Sequence, residues 1–308
     1  MQAIGLGSLL APISQEEFFD SYWPKKHLFI PPSPNKLNCL FDLPQLQSLQ
    51  TLIAARVLKV RACLPDFDDE YSSILLEPGD ALKVFRNNMT LVFDSMQSQS
   101  ETIAGFLKNV RSDLGLVTGS ENDLTQARAI VYATPAGGRT RLHFDANANF
   151  VFQLKGTKRW CLAPNISVEN PTDRYTSCTG EIGVALEKQC HAQLLEELPK
   201  GSLEFLLEPG AVLFVPRGYW HETTTEDDSI SLNLTFSQPT WADIFTKSIH
   251  ELLLQSADWR ELADGIEASD LGRKEKAIAR FEVLVRQFAR ELPNISGKEL
   301  LTEASLLS

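Results

Sequence analysis

Two of the chain's five histidines stand where an imidazole could hold a metal. His143 opens the run His143-Phe144-Asp145. On an extended backbone, residues two apart point to one face, so the imidazole and the carboxylate converge while Phe144 turns away into the core. A His-x-Asp pattern alone is weak evidence, because short patterns recur by chance. The second histidine strengthens it. His221 ends the stretch Ala211-Val212-Leu213-Phe214-Val215-Pro216-Arg217-Gly218-Tyr219-Trp220-His221, a buried strand followed by a Pro/Gly turn and two aromatics. Two neutral imidazoles and one carboxylate on one side of a metal make a facial triad, which suits Fe(II) and leaves open positions for further ligands. Zinc accepts the same donors, but its catalytic sites usually leave only one position open. His27, His191 and His250 have no comparable context and read as structural.

The elements that must position these residues are legible in part. Ser14-Gln15-Glu16-Glu17 is a capping box that predicts a helix from Gln15 to Tyr22, and His27–Ile30 reads as a short strand. A second helix is expected over Pro44–Leu58 and a third after Ser98 or Ser100. Ser73–Leu76 and Leu82–Phe85 read as strands around a turn at Glu77-Pro78-Gly79-Asp80. From about Ala127 the pattern becomes β: Ala129–Thr134, Asn149–Leu154, Lys158–Ala163, Ala211–Val215 and Ser229–Phe236 are short apolar or alternating runs, with Lys155-Gly156-Thr157 as a hairpin turn. An insert from Pro164 to Leu207 carries an expected helix around Leu186–Leu198. After Ser237 the β signal ends. Thr240-Trp241-Ala242-Asp243 caps another helix, and Ala277, Phe281, Leu284, Phe288 and Leu292 fall on one helical stripe.

Many short strands with long excursions predict a mainly β chain, a double-stranded jelly-roll core with helical flanks. The expected division is an N-terminal helix/strand extension over 1–125 that packs on the core, a β core over 126–237 containing the insert 164–207, and a helical region over 238–308. No apolar run approaches the roughly 20 residues that span a bilayer, which argues against a membrane partner. Met1–Leu6 lacks the basic start of a secretory signal, and five cysteines without a CxxC pair fit reduced thiols, so a cytoplasmic location is expected. The formal net charge of −11 argues against nucleic acid as partner. It is compatible with approach of a basic peptide, although an acidic surface often serves solubility alone.

Thr140-Arg141-Leu142-His143-Phe144-Asp145, Asn149-Phe150 and Gln153-Leu154-Lys155-Gly156-Thr157-Lys158-Arg159 together resemble the JmjC/cupin-like, Fe(II)- and 2-oxoglutarate-dependent oxygenases, including those of the asparaginyl-hydroxylase type. Val215–His221 with Ser231-Leu232-Asn233-Leu234 looks similar to the ribosomal-oxygenase type. The resemblance covers about residues 127–237. It implies that His143, Asp145 and His221 bind iron, and that Lys158 and Thr140 hold the distal carboxylate of 2-oxoglutarate. By the same match Asn149 lines the pocket, Tyr132 forms part of its wall, and Asn233 hydrogen-bonds the iron-bound carboxylate group. Without the match, Lys158 reads as a surface lysine and the polar face of Ser229–Phe236 as solvent-exposed. Arg141 departs from the pattern, because many relatives carry proline there.

The reaction implied is hydroxylation of a protein or peptide side chain, with 2-oxoglutarate and O2 converted to succinate and CO2. Hydroxylation of a small molecule or free amino acid is an alternative. So is a cupin-type protein that binds a metal or ligand without turnover. Several relatives dimerise through C-terminal helices, so the resemblance also implies a homodimer.

Overall fold

The structure is a computed structural model and describes residues 5–33, 37–64, 72–116, 126–177 and 182–303. Its strands are β1 (Leu28–Ile30), β2 (Val60–Cys63), β3 (Ser73–Leu76), β4 (Thr90–Phe93), β5 (Gln126–Thr134), β6 (Arg139–Phe144), β7 (Ala148–Lys155), β8 (Lys158–Ala163), β9 (Tyr175–Thr176), β10 (Leu203–Leu207), β11 (Val212–Val215), β12 (Trp220–Thr224) and β13 (Ser229–Ser237). They form an eight-stranded sheet in the order β1-β11-β7-β13-β5-β4-β2-β3 and a five-stranded sheet in the order β10-β8-β12-β6-β9. Neighbouring strands are antiparallel. From β5 to β8, and again from β10 to β13, the chain alternates between the two sheets, which is the winding of a jelly roll.

The larger sheet has one apolar face and one mixed face, on which Val151, Leu213 and Val215 pack with Trp160 and Leu162 of the smaller sheet beside the polar residues of β13. Ile230, Leu232, Leu234 and Phe236 of β13 point to the main core with Phe150 and Phe152 of β7 and Phe214 of β11. The N-terminal elements cover that face. In helix Gln15–Ser21, capped by Ser14, the fully buried Phe18 packs at ring-centroid distances of 6.0 Å from Phe150 and 5.3 Å from Phe214. Phe106 of helix Glu101–Asp113 meets Phe152 at 5.4 Å. Losing a side chain buried as Phe18 is typically costs about 3–5 kcal/mol. With its apolar face covered this way, the sheet turns its other face, carrying Ser231, Asn233 and Thr235, toward a cavity that it shares with the smaller sheet.

Three expected elements differ. Pro44–Leu58 is a 3-10 turn, Pro44–Leu46, followed by helix Leu49–Ala54, which starts afresh at a Ser48/Thr51 capping box. Leu82–Phe85 is the end of helix Pro78–Phe85. Glu77-Pro78-Gly79-Asp80 opens that helix, because proline fits a first helical turn, and Ala81 and Phe85 bury one face at i, i+4. Within Leu186–Leu198 only Val184–Glu187 is helical at the start. Beyond it, backbone groups bond to the preceding loop, with His191 N–H donating to Ser167 O and the Ser167 hydroxyl to Gln193 O. Leu186 still buries itself beside Phe144 and Trp220, so the apolar residues found a core without a helix.

The described residues fall into two compact units, one reaching Leu116 and resuming at Gln126–Ser237, the other running from Gln238 onward. In the second unit, Thr240 and Asp243 cap helix Trp241–Leu253 reciprocally, as expected, and a 21-residue helix runs from Leu271 to Glu291.

Candidate metal centre and the cavity around it

β6 and β12 lie side by side with His143 opposite His221. Two residues further along β12, Thr223 pairs with Thr140, so Arg141 and Leu142 of β6 together face Glu222. This β-bulge decides the site. Strict alternation would send Thr140 and His143, three apart, to opposite faces; the extra residue brings both into one cavity. The bulge also turns the Arg141 carbonyl toward the ring of its neighbour, where it accepts from His143 Nδ1 at 2.7 Å. Tyr219 O plays the same part for His221 Nδ1 at 2.9 Å. A carbonyl can only accept, so each Nδ1 carries the proton and each Nε2 presents a lone pair. The ring centroids are 4.0 Å apart.

Asp145 follows the end of β6. Its backbone carbonyl accepts from Gly218 N–H at 2.8 Å, which fastens the Pro216–Gly218 turn beside it. Gly218 has φ +85°, and a Cβ there would approach Pro171 Cδ to 2.8 Å, so this turn requires glycine. The Asp145 carboxylate accepts from Asn149 Nδ2 at 3.1 Å, and Thr235 Oγ1 donates to Asn149 Oδ1 at 2.7 Å. One ligand atom from each of His143, Asp145 and His221 lies within 4.8 Å of the others. Two neutral imidazoles and a carboxylate at that spacing fit a divalent cation.

The cavity, about 420 Å³, is lined by all eight residues that the sequence singled out: Tyr132, Thr140, His143, Asp145, Asn149, Lys158, His221 and Asn233. Lys158 enters from β8, buried, with Nζ donating to Thr134 Oγ1 at 3.1 Å. Desolvation by burial pulls its ammonium down from 10.5 to about 8. A buried cation held by one hydroxyl is a site that an anionic group completes. Thr140 accepts from Thr223 Oγ1 at 3.1 Å. Asn233 Oδ1 is buried and has no hydrogen-bond partner among the described residues, again as a ligand-facing group would be. The donor set therefore fits both a divalent metal and a small carboxylate.

Sequence reasoning missed Trp160, Thr134, Thr223 and Arg174. Trp160 lies two residues after Lys158 on β8 and stacks on His221 at 5.5 Å; alternation from Lys158 could have found it. Thr134, Thr223 and Arg174 become visible only through cross-strand register or the insert. His27 packs against Phe205 and Tyr219, outside the cavity, in keeping with its structural reading. Nor is the chain's acidity concentrated at the cavity: its wall carries Arg61, Arg128, Lys158 and Arg174 against Asp145 and Asp173. A basic peptide gains no electrostatic steering from this wall.

Residues 118–244 match the family model described as the JmjC domain. The protein YxbC of Bacillus subtilis is 26% identical over 96% of this chain and 89% of its own length. Ribosomal oxygenase 2 of Rattus norvegicus is 28% identical over 81% of this chain, and the match spans 51% of that protein. The bifunctional lysine-specific demethylase and histidyl-hydroxylase NO66 of Dictyostelium discoideum is 23% identical over 85% of this chain and 48% of its own length. The chain thus spans about half the length of these two named oxygenases. In fold it is similar to ycfD of E. coli, with a TM-score of 0.52 at 16% identity over 94% of this chain and 70% of that one. The matched segment contains the strands that carry the triad and the buried lysine, and it is this part of the chain that is similar to the JmjC domain.

Proposed function

We propose that this chain is a non-haem iron, 2-oxoglutarate-dependent dioxygenase that hydroxylates a side chain of a protein or peptide. The observation that carries the reading is one cavity with a His/Asp/His cluster and a buried, nearly unpaired lysine on its wall. When bound, iron and its co-substrate supply the oxidising chemistry: 2-oxoglutarate and O2 become succinate and CO2, and one oxygen atom enters a substrate C–H bond. His143, Asp145 and His221 hold the metal. Arg141 O and Tyr219 O keep the imidazoles in the tautomer that leaves Nε2 free. Lys158 pairs with the distal carboxylate of 2-oxoglutarate and Thr140 adds a hydroxyl. Asn149 orients Asp145, Asn233 faces the co-substrate, and Tyr132 walls the pocket.

A polypeptide substrate is supported by the relative whose name assigns it lysine demethylation and histidyl hydroxylation, both reactions of amino-acid side chains. The exposed stripe Leu271, Ile278, Phe281 and Val285 on helix Leu271–Glu291 supports homodimerisation through the C-terminal region. Its successive spacings of seven, three and four residues keep these side chains on one helical face. No helix among the described residues is long and apolar enough to cross a membrane. A cytoplasmic location stays part of the proposal, resting on an odd number of cysteines with no CxxC spacing in the sequence.

The test incubates the anaerobically iron-loaded protein with 2-oxoglutarate, air and host extract divided into polypeptide and small-metabolite fractions. The expected result is succinate formation stimulated by the polypeptide fraction, with peptides that have gained one oxygen atom. Stimulation by small metabolites alone would replace the substrate class with the small-molecule alternative. No succinate under any condition would leave a metal-binding cupin without turnover.

A further inference from the structure

The insert between the two halves of the triad reaches back to the metal centre. Its short strand β9 pairs with β6 at the ligand itself, with Thr176 opposite His143 and Tyr175 opposite Phe144. The residue just before that strand is Arg174, which lines the cavity and whose side chain is 12% exposed. Its Nε lies 3.4 Å from Asp145 Oδ1. The other carboxylate oxygen, Oδ2, accepts from Asn149 and lies 3.8 Å from His221 Nε2. The two oxygens of Asp145 are therefore divided: Oδ2 faces the imidazoles and Oδ1 faces a guanidinium. The insert is also clamped close by. Arg217, in the turn before His221, donates to Pro171 O at 2.8 Å and to Asn170 O at 3.0 Å.

We infer that Arg174 is a positioning residue that keeps Asp145 a one-oxygen metal ligand, so that co-substrate finds its coordination positions open. This rests on the metal centre proposed above. A carboxylate with both oxygens free can chelate a cation and fill two positions, as carboxylates commonly do around oxygen-seeking cations. With Oδ1 paired to a buried guanidinium, only Oδ2 is available. The same positive charge repels a dication, so Arg174 weakens metal binding while protecting the sites that a chelating keto-acid needs.

Wild type, Arg174→Met and Arg174→Gln are titrated anaerobically with Co(II) alone, and the cobalt-loaded proteins are then titrated with 2-oxoglutarate while the visible Co(II) spectrum is followed. Melting of each metal-free protein is recorded in parallel. Both variants are expected to bind Co(II) at least as tightly as wild type and to require on the order of tenfold more 2-oxoglutarate for the same spectral change. The Co(II) bands before co-substrate should already differ from wild type. An unchanged 2-oxoglutarate titration and spectrum in either folded variant overturns the inference. So does a fall in cobalt affinity that follows a fall in melting temperature, which would show a purely structural role. Failure of wild type itself to bind Co(II) would instead remove the metal-centre reading on which the inference stands.

Discussion

β13 and helix Leu271–Glu291 break the same rule in opposite directions. On β13 the alternating pattern invites polar residues outward, yet Ser231, Asn233 and Thr235 are buried on the inner face of the large sheet. On the helix the apolar residues divide. Leu284 is buried, while Phe281, expected on the same stripe, is 59% exposed and shares a face with Leu271, Ile278 and Val285. Buried polar groups without full pairing and exposed apolar groups in a row both cost stability unless something else completes them. For β13 the completing partner is small and polar and sits inside the barrel. For the helix, the proposed homodimer would supply another apolar surface. Under the function and assembly proposed above, the contrast would separate a ligand site from an assembly face without reference to any motif.

The largest expected effect tests the inner face. Asp145→Ala removes the only carboxylate of the triad, and stoichiometric Fe(II) binding under anaerobic conditions should be lost; retention of tight binding, read by equilibrium dialysis, would break the triad assignment. The next concerns Lys158. Lys158→Met should weaken 2-oxoglutarate binding by roughly 2–5 kcal/mol, the cost of truncating one partner of a desolvated charge pair, and leave metal binding in place.

The same substitution should stabilise the protein free of co-substrate by about 1–3 kcal/mol near neutral pH, because a buried, poorly paired charge gives way to an apolar chain of similar length. The sign with pH follows from the pKa, which falls from 10.5 to about 8 on folding. Between those values the unfolded chain binds more protons than the folded one, so wild-type stability rises with pH across that window, and the variant should lack the rise. Affinity for 2-oxoglutarate should be full below pH 8 and decline above it as the ammonium is lost. Calorimetry across pH 7–10 reads both slopes, and equal slopes in wild type and variant would refute a buried titrating lysine.

The smallest effect concerns the other half of the comparison. Phe281→Asp puts a charge on the exposed apolar stripe, where little intramolecular packing is lost, so it should change the melting temperature little. It should nevertheless shift the mass measured by light scattering from dimer to monomer, with 2-oxoglutarate binding unchanged. A monomeric wild type at micromolar concentration would remove the assembly reading while leaving the cavity untouched.

The sequence by itself determined what depends on residue type and local period. Alternation in Asn149–Leu154 and Ser229–Phe236 sets strands, because a side-chain period of two is a property of the extended backbone. Thr240 with Asp243 sets a helix start, because the cap is made within one turn. His143, Asp145 and His221 could be chosen as metal donors from their chemistry and their neighbours. Leu82–Phe85 was misread because a proline-led helix start and a turn share the same residues, and only the burial of Ala81 and Phe85 against the core separates them. The tertiary structure alone decided how the site is finished. The bulge at Arg141-Leu142 arises from pairing β6 with β12, and no local pattern announces it, yet it turns Thr140 and His143 to one side. Arg174 reaches Asp145 only because β9, which starts 36 residues after the start of β6, folds back onto β6, and side chains brought together by strand pairing carry no trace of one another in local sequence.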